Sequence, residues 1–159
     1  MTGLRLVPMN TEQPSQDLYL VVGYDGSPPS TRALDAAIRL LRGRSGQIDV
    51  VYVAHLPAID MMSADAVGEI QRDFDEIERD LRTSAGQQLR DREERWTFER
   101  RQGLIGEALI AAAKDIGNAN PEAIVTIVVG SSSQALHRMV GSAAVALVRH
   151  SPVPVLVVP

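Results

Sequence analysis

The stretch "LYLVVGYDGSPPSTRALDAAIRLL", residues Leu18 to Leu41, contains a complete strand, turn and helix. "LYLVVGYD" has the continuous apolar run of a strand buried on both faces. Ser27 followed by Pro28 and Pro29 then gives a helix start, because first-turn positions need no N–H from proline. Ala33, Leu34, Ala37, Ile38 and Leu41 fall on one face of that helix, and Gly43 stops it.

The same alternation continues outward. "QIDVVYVAHL" reads as a second strand, and Ser63 with Asp65 opens a long helix whose apolar stripe is Val67, Ile70, Phe74, Ile77, Leu81, Ala85 and Leu89. "RWTFERR" alternates and predicts a more exposed third strand. A third helix is expected from Leu104 to Ile116, ended by Gly117, and "AIVTIVV" predicts a central fourth strand. Ser142 opens the last helix, and "VPVLVV" is the fifth strand. The fold class is therefore α/β: a mostly parallel five-stranded sheet with right-handed crossovers and helices on both faces. Residues 1–16, broken by Pro8 and Pro14, are expected to form a flexible arm, and 17–159 a single domain.

Bulk properties narrow the function. Of 159 residues, 45% are hydrophobic, 23% charged and only 4% aromatic, and the net charge is −4. That argues against a nucleic-acid partner, which calls for a basic field or stacking aromatics. The absence of cysteine removes disulfides and thiol chemistry, and three scattered histidines make no metal cluster. With no long apolar run for a signal or membrane span, a cytoplasmic location and no membrane partner are expected.

In open parallel sheets ligands sit outside the carboxyl ends of the strands where strand order reverses. The loops after strands one and four carry the candidates. Asp25, just before Gly26-Ser27, is placed to accept hydrogen bonds from a ribose or an adenine amine, or else to hold an Asx-type turn and help cap the helix. In "VVGSSSQALHRMVGS", Val128 to Ser142, Gly130 allows a sharp turn off strand four, and Ser131, Ser132 and Ser133 add hydroxyls. His137 and Arg138 add positive charge nearby. Gly141 lets a ligand approach the backbone, and the helix opened by Ser142 has no carboxylate in its first turn to compete for an anion. The alternative is a plain polar turn followed by a helix cap, and the loop alone leaves both open. Lys114 lies within the third helix rather than in a Gly-Lys-Ser loop, and "GYDGSPPS" lacks dinucleotide-fingerprint spacing.

These residues resemble the universal stress protein family from about Leu18 to Pro159. "VVGYDGSPPSTRALDAAIRL" is similar to that family's opening strand, Asp-Gly-Ser turn and helix, and "LVRHSPVPVLVV" to its closing His-x-Pro-x-Pro-Val strand. The resemblance implies that family's five-stranded, adenine nucleotide alpha-hydrolase-like fold. It also implies an adenine nucleotide, ATP or another, with Mg as a companion, in a regulatory or sensing role during stress. It matches Asp25 to the aspartate that contacts adenosine, Val53 to a strand-two valine at the adenine, and Gly130, Gly141 and Ser142 to the phosphate-binding glycine and closing pair. Two departures stand out. Ser133 occupies the second glycine's place, with seven residues before Gly141 where nucleotide-binding members have nine, and Ala144 replaces a frequent Ser or Thr.

The apolar terminal strand is an expected edge, and such strands invite pairing. A homodimer through it is expected, and the resemblance implies the same. No catalytic Lys, Cys or placed base is evident, so a binding protein is expected rather than an enzyme, with weak ATP hydrolysis left open. The alternative is a nucleotide-independent protein of the same fold that acts through dimerisation and protein contacts.

Overall fold

The computed structural model describes residues 16–55, 62–90, 95–131 and 142–159. Strands and helices alternate along them: β1 (Leu18–Gly23), α1 (Pro28–Leu41), β2 (Gly46–Ala54), α2 (Ala64–Leu89), β3 (Arg95–Gln102), α3 (Ile105–Ala119), β4 (Ile124–Gly130), α4 (Ser142–His150) and β5 (Val155–Val158). The five strands pair in the order β3-β2-β1-β4-β5, and every pairing is parallel. Strand order reverses between β1 and β4, so the switch point lies at their carboxyl ends. Of the arm expected over residues 1–16, all but Gln16 lies outside the described residues.

Period-two alternation explains the apolar run of β1. Leu20 and Val22 pack with α1 and α2, while Val21 packs with α3 and α4 on the opposite face. The chain forms α1 where the sequence predicts it: the Ser27 hydroxyl accepts from the Ser30 N–H at 3.4 Å, two prolines fill the first turn, and Gly43 takes a φ of +71° just beyond the helix. Its buried face is Ala33, Leu34, Ala37, Ile38 and Leu41.

Two helices depart from expectation. Instead of stopping at Gly117, α3 continues to Ala119, because Asn120 caps it more effectively. The Asn120 backbone N–H and side-chain amide both donate to the Ile116 carbonyl, at 2.9 and 3.0 Å, and its Oδ1 accepts from the Tyr19 hydroxyl at 3.1 Å. A glycine inside a helix costs only about 1 kcal/mol, which such caps offset.

Of the apolar stripe read along α2, only Ala85 and Leu89 are buried, and Ile77 is 42% exposed. The reason is length. With 26 residues, α2 spans about 39 Å, whereas the nine residues of β2 cover only about 30 Å. Running antiparallel to the strands, α2 therefore overhangs their carboxyl ends with its amino-terminal part. Its far end is anchored: Gln88 donates to the Thr31 carbonyl and to Asp35, both at 2.8 Å, and Arg82 lies 4.9 Å over the Phe98 ring.

Candidate functional site

The ladder between β1 and β2 continues one residue past Gly23, the Tyr24 N–H donating to the Val51 carbonyl at 2.9 Å. Asp25 then emerges beyond the sheet. Its Oδ1 accepts from both the backbone N–H of Ser27, at 3.0 Å, and the Ser27 hydroxyl. The Asp25 N–H donates to the Ser30 hydroxyl at 3.3 Å, which in turn donates to the Ser27 carbonyl at 3.0 Å. Gly26 has a φ of +77°, which favours glycine. A Cβ on it would lie 2.8 Å from Leu81 Cδ2, so the turn leans directly on α2. Tyr24, itself buried, adds a hydroxyl bond to Ser84 at 3.4 Å.

This turn presents an ionised carboxylate. Partial burial works to raise the Asp25 carboxyl, but the hydrogen bonds from the Ser27 side chain and backbone, from Ser30 and from its own backbone outweigh it, and the net shift is downward from 3.8. Only Oδ1 is engaged; among the described residues Oδ2 has no hydrogen-bond partner. Both roles weighed for Asp25 are thus compatible, since one oxygen builds the turn and the residue is exposed.

Other predicted site residues divide. Gly130 ends β4, paired with Val158, and its backbone is ordinary strand rather than a positive-φ turn. The glycine is needed for a different reason: a Cβ there would meet the Pro29 carbonyl oxygen at 2.1 Å. Gly130 thus permits a close contact between the end of β4 and the first turn of α1, and the chain beyond Ser131, where the turn off β4 is expected, lies outside the described residues. The Ser131 N–H is already engaged, donating to the Val158 carbonyl at 2.7 Å. Val53 packs its side chain into the α3/α4 core. Ser133 and Gly141 lie outside the described residues, as do Ser132, His137 and Arg138. Ser142 is the first residue of α4, whose first turn carries no acidic residue and whose last turn carries Arg149 and His150. That polarity favours an anion at the amino end and suits His150 as a helix-end residue.

Two residues escape sequence reading. Arg32 on α1 donates from Nε to the Pro159 carbonyl at 2.9 Å and from Nη2 to the Ser131 carbonyl at 3.4 Å, which brings a cation to the end of β4. No spacing rule marks it, since it lies in the second turn of α1 between Thr31 and Ala33. Tyr52 faces the opposite side of β2 from Val53, toward α1 and α2. Burial raises its phenol above 10.0, Arg100 lowers it, and the Asp25 charge raises it further, so Tyr52 and Asp25 share one electrostatic neighbourhood. A polar-tipped aromatic near the end of an apolar strand was the available signal. Among the described residues no group of three acidic, His or Cys side chains could hold a metal, and no helix is long and apolar enough to cross a membrane.

A model of the universal stress protein family matches residues 20–159. A search of curated proteins gives no significant match. Solved structures share the fold. Hypothetical protein MJ0577, a structural-genomics test case, superposes with a TM-score of 0.73 at 18% identity, covering 88% of this chain and 94% of its own. A universal stress protein in complex with cAMP gives 0.61 at 22% identity, covering 89% and 97%. A universal stress family protein of Arabidopsis thaliana with AMP bound gives 0.61 at 12%, covering 89% and 90%. With all but the first nineteen residues matched and the five-stranded parallel fold in common, the chain belongs to the universal stress protein family.

Proposed function

We propose that this protein is a cytoplasmic, dimeric module that binds an adenine nucleotide in a regulatory or sensing role during stress, and that it is not primarily a catalyst. The observation that carries the reading is the Asp25 carboxylate. It is held ionised at the switch point by Ser27 and Ser30, with Oδ2 left for a ribose hydroxyl or exocyclic amine. The first-turn N–H groups of α4, which have no partner within the helix, suit a phosphate, and Arg32 brings a positive charge to the end of β4. Family structures containing cAMP and AMP support the same ligand class. ATP, with Mg carried by its phosphates, is the form we favour.

Equilibrium dialysis of the purified protein with labelled ATP tests this, together with extraction for nucleotide that copurifies. Saturable binding is expected. A specific observation favours a second reading, in which the fold acts through protein contacts without nucleotide: the Ser131 N–H and the bare side of Gly130 are taken up by Val158 and Pro29. No saturable binding at millimolar ATP would select it.

The dimer reading rests on the contrast between the sheet's two edges. Charged residues Arg95, Glu99, Arg100 and Arg101 guard β3. On the other side, β5 is apolar and Leu156 is 36% exposed. Beside it runs a shallow groove of about 340 Å³, lined by Leu40, Leu156, Val157 and Val158 among others. Leu156→Asp places a charge on this surface without entering the core, and sedimentation is expected to shift from dimer to monomer. A wild-type monomer at micromolar concentration, or a dimeric variant, would remove the proposal.

A further inference from the structure

One side chain of α1 holds the ends of β4 and β5 together. Ser131, the first residue beyond β4, donates its N–H to the Val158 carbonyl at 2.7 Å, and its own carbonyl accepts from Arg32 Nη2 at 3.4 Å. Arg32 Nε donates at 2.9 Å to the carbonyl of Pro159, the residue after β5. The planar guanidinium spans two chain segments in this way, a geometry that the point charge of a lysine does not reproduce. Among the described residues Nη1 has no hydrogen-bond partner, so it is left for an anion. The strand that Arg32 holds has few other ties: β5 is four residues long and lies at the sheet's edge, paired with β4 from Val155 opposite Ile127 to Val158 opposite Gly130. Leu156, Val158 and Pro159 also line the apolar groove along that edge, together with Ala36 and Leu40, about one and two turns along α1 from Arg32. Arg32 therefore stands between the end of β4, to which it brings positive charge, and the edge at which a second copy is proposed to pair.

We infer that Arg32 is a coupling residue, through which nucleotide binding strengthens the pairing of the β5 edge with a second copy. The inference rests on the nucleotide and dimer readings and adds the link between them. A phosphate that meets Nη1 forms a charge-assisted bond and immobilises the whole planar group, and with it the Ser131 and Pro159 carbonyls that the group holds. A second copy then pairs with a β5 end that has already lost its freedom, so part of the ordering cost of association is gone. The linkage is reciprocal: the dimer binds nucleotide more tightly than the monomer by the same factor.

Sedimentation of the full chain over a concentration series, without and with saturating ATP, tests the coupling. In wild type the dimer dissociation constant is expected to fall about tenfold with ATP, and amide exchange within residues 155–158 to slow. Arg32→Lys keeps the charge and loses the fork. Arg32 is exposed, so the variant is expected to fold, to bind ATP more weakly and still to dimerise, but saturating ATP should shift its dissociation constant less than about twofold. A merely structural clamp would weaken the dimer by the same factor with and without ATP, and that result would overturn the coupling. An unchanged dissociation constant in a wild type that binds ATP and dimerises would overturn it as well, while leaving both readings intact. A wild type that binds no ATP, or that stays monomeric with ATP bound, removes the corresponding reading and the coupling with it.

Discussion

Gly130→Ala is expected to destabilise the fold by at least about 3 kcal/mol, at the upper end of what overpacking a tight site costs. The new Cβ would stand 2.1 Å from the Pro29 carbonyl oxygen and 2.3 Å from the carbonyl carbon, and neither is a flexible side-chain tip that can swing away. Relief requires α1 to retreat from β4, or β4 from β5, where Gly130 pairs with Val158. For a chain of this size the loss corresponds to a fall in Tm of roughly 6–12 °C. Gly43→Ala is the control: its φ is +71° but nothing lies within 4 Å, so only the backbone penalty of about 1 kcal/mol applies. Equal costs for the two in urea unfolding would mean that the Pro29 contact yields easily. The contact also bears on the site. It locks the first turn of α1 against the end of β4, and with it the distance between the Asp25 turn and the chain leading toward α4.

The alternation of apolar runs and helical stripes made the architecture legible, because each central strand of a doubly covered sheet is apolar on both faces and each crossover helix on one. Ser27-Pro28-Pro29 located the start of α1 to the residue. Tertiary length was not legible: nothing in the periodicity from Val67 to Leu89 says how far the sheet extends beneath the helix. Nor could pattern reveal why Gly130 is a glycine, since Pro29 is a hundred residues away in sequence. Asp49 was equally hidden in "QIDVVYVA", where it is buried and accepts at 2.6 Å from Gln47 on its own strand and at 2.6 Å from its β3 register partner Thr97. At the site, the turn residues Asp25, Ser27 and Ser30 are local and could be read in order. Tyr52 and Leu81 arrive from other elements, and only the packing of β2 and α2 brings them to the Asp25 turn, while Arg32 reaches the end of β4.

Asp25→Asn is expected to weaken adenine-nucleotide binding about 10- to 100-fold while leaving the protein folded. The magnitude follows from the worth of a hydrogen bond to a charged acceptor, about 1.5–3 kcal/mol. Asparagine keeps an oxygen that can accept from the Ser27 N–H, so the turn that Oδ1 now builds is retained. What changes is the outward position: the carboxylate Oδ2 becomes an amide that donates, facing ligand hydroxyl or amine groups that also donate. Ser27→Ala separates the two roles of the turn. It removes the helix cap and the hydroxyl bond to Asp25, costing about 1 kcal/mol of stability, yet it leaves the carboxylate itself in place. Its ATP affinity should therefore fall less than that of Asp25→Asn, although its Tm falls more. The reverse ranking would mean that Asp25 serves the turn alone. Undiminished affinity in Asp25→Asn, measured against a wild type that binds, would place the sugar away from β1, because no donor-rich ligand part gains equally from a charged acceptor and from an amide donor at the same point.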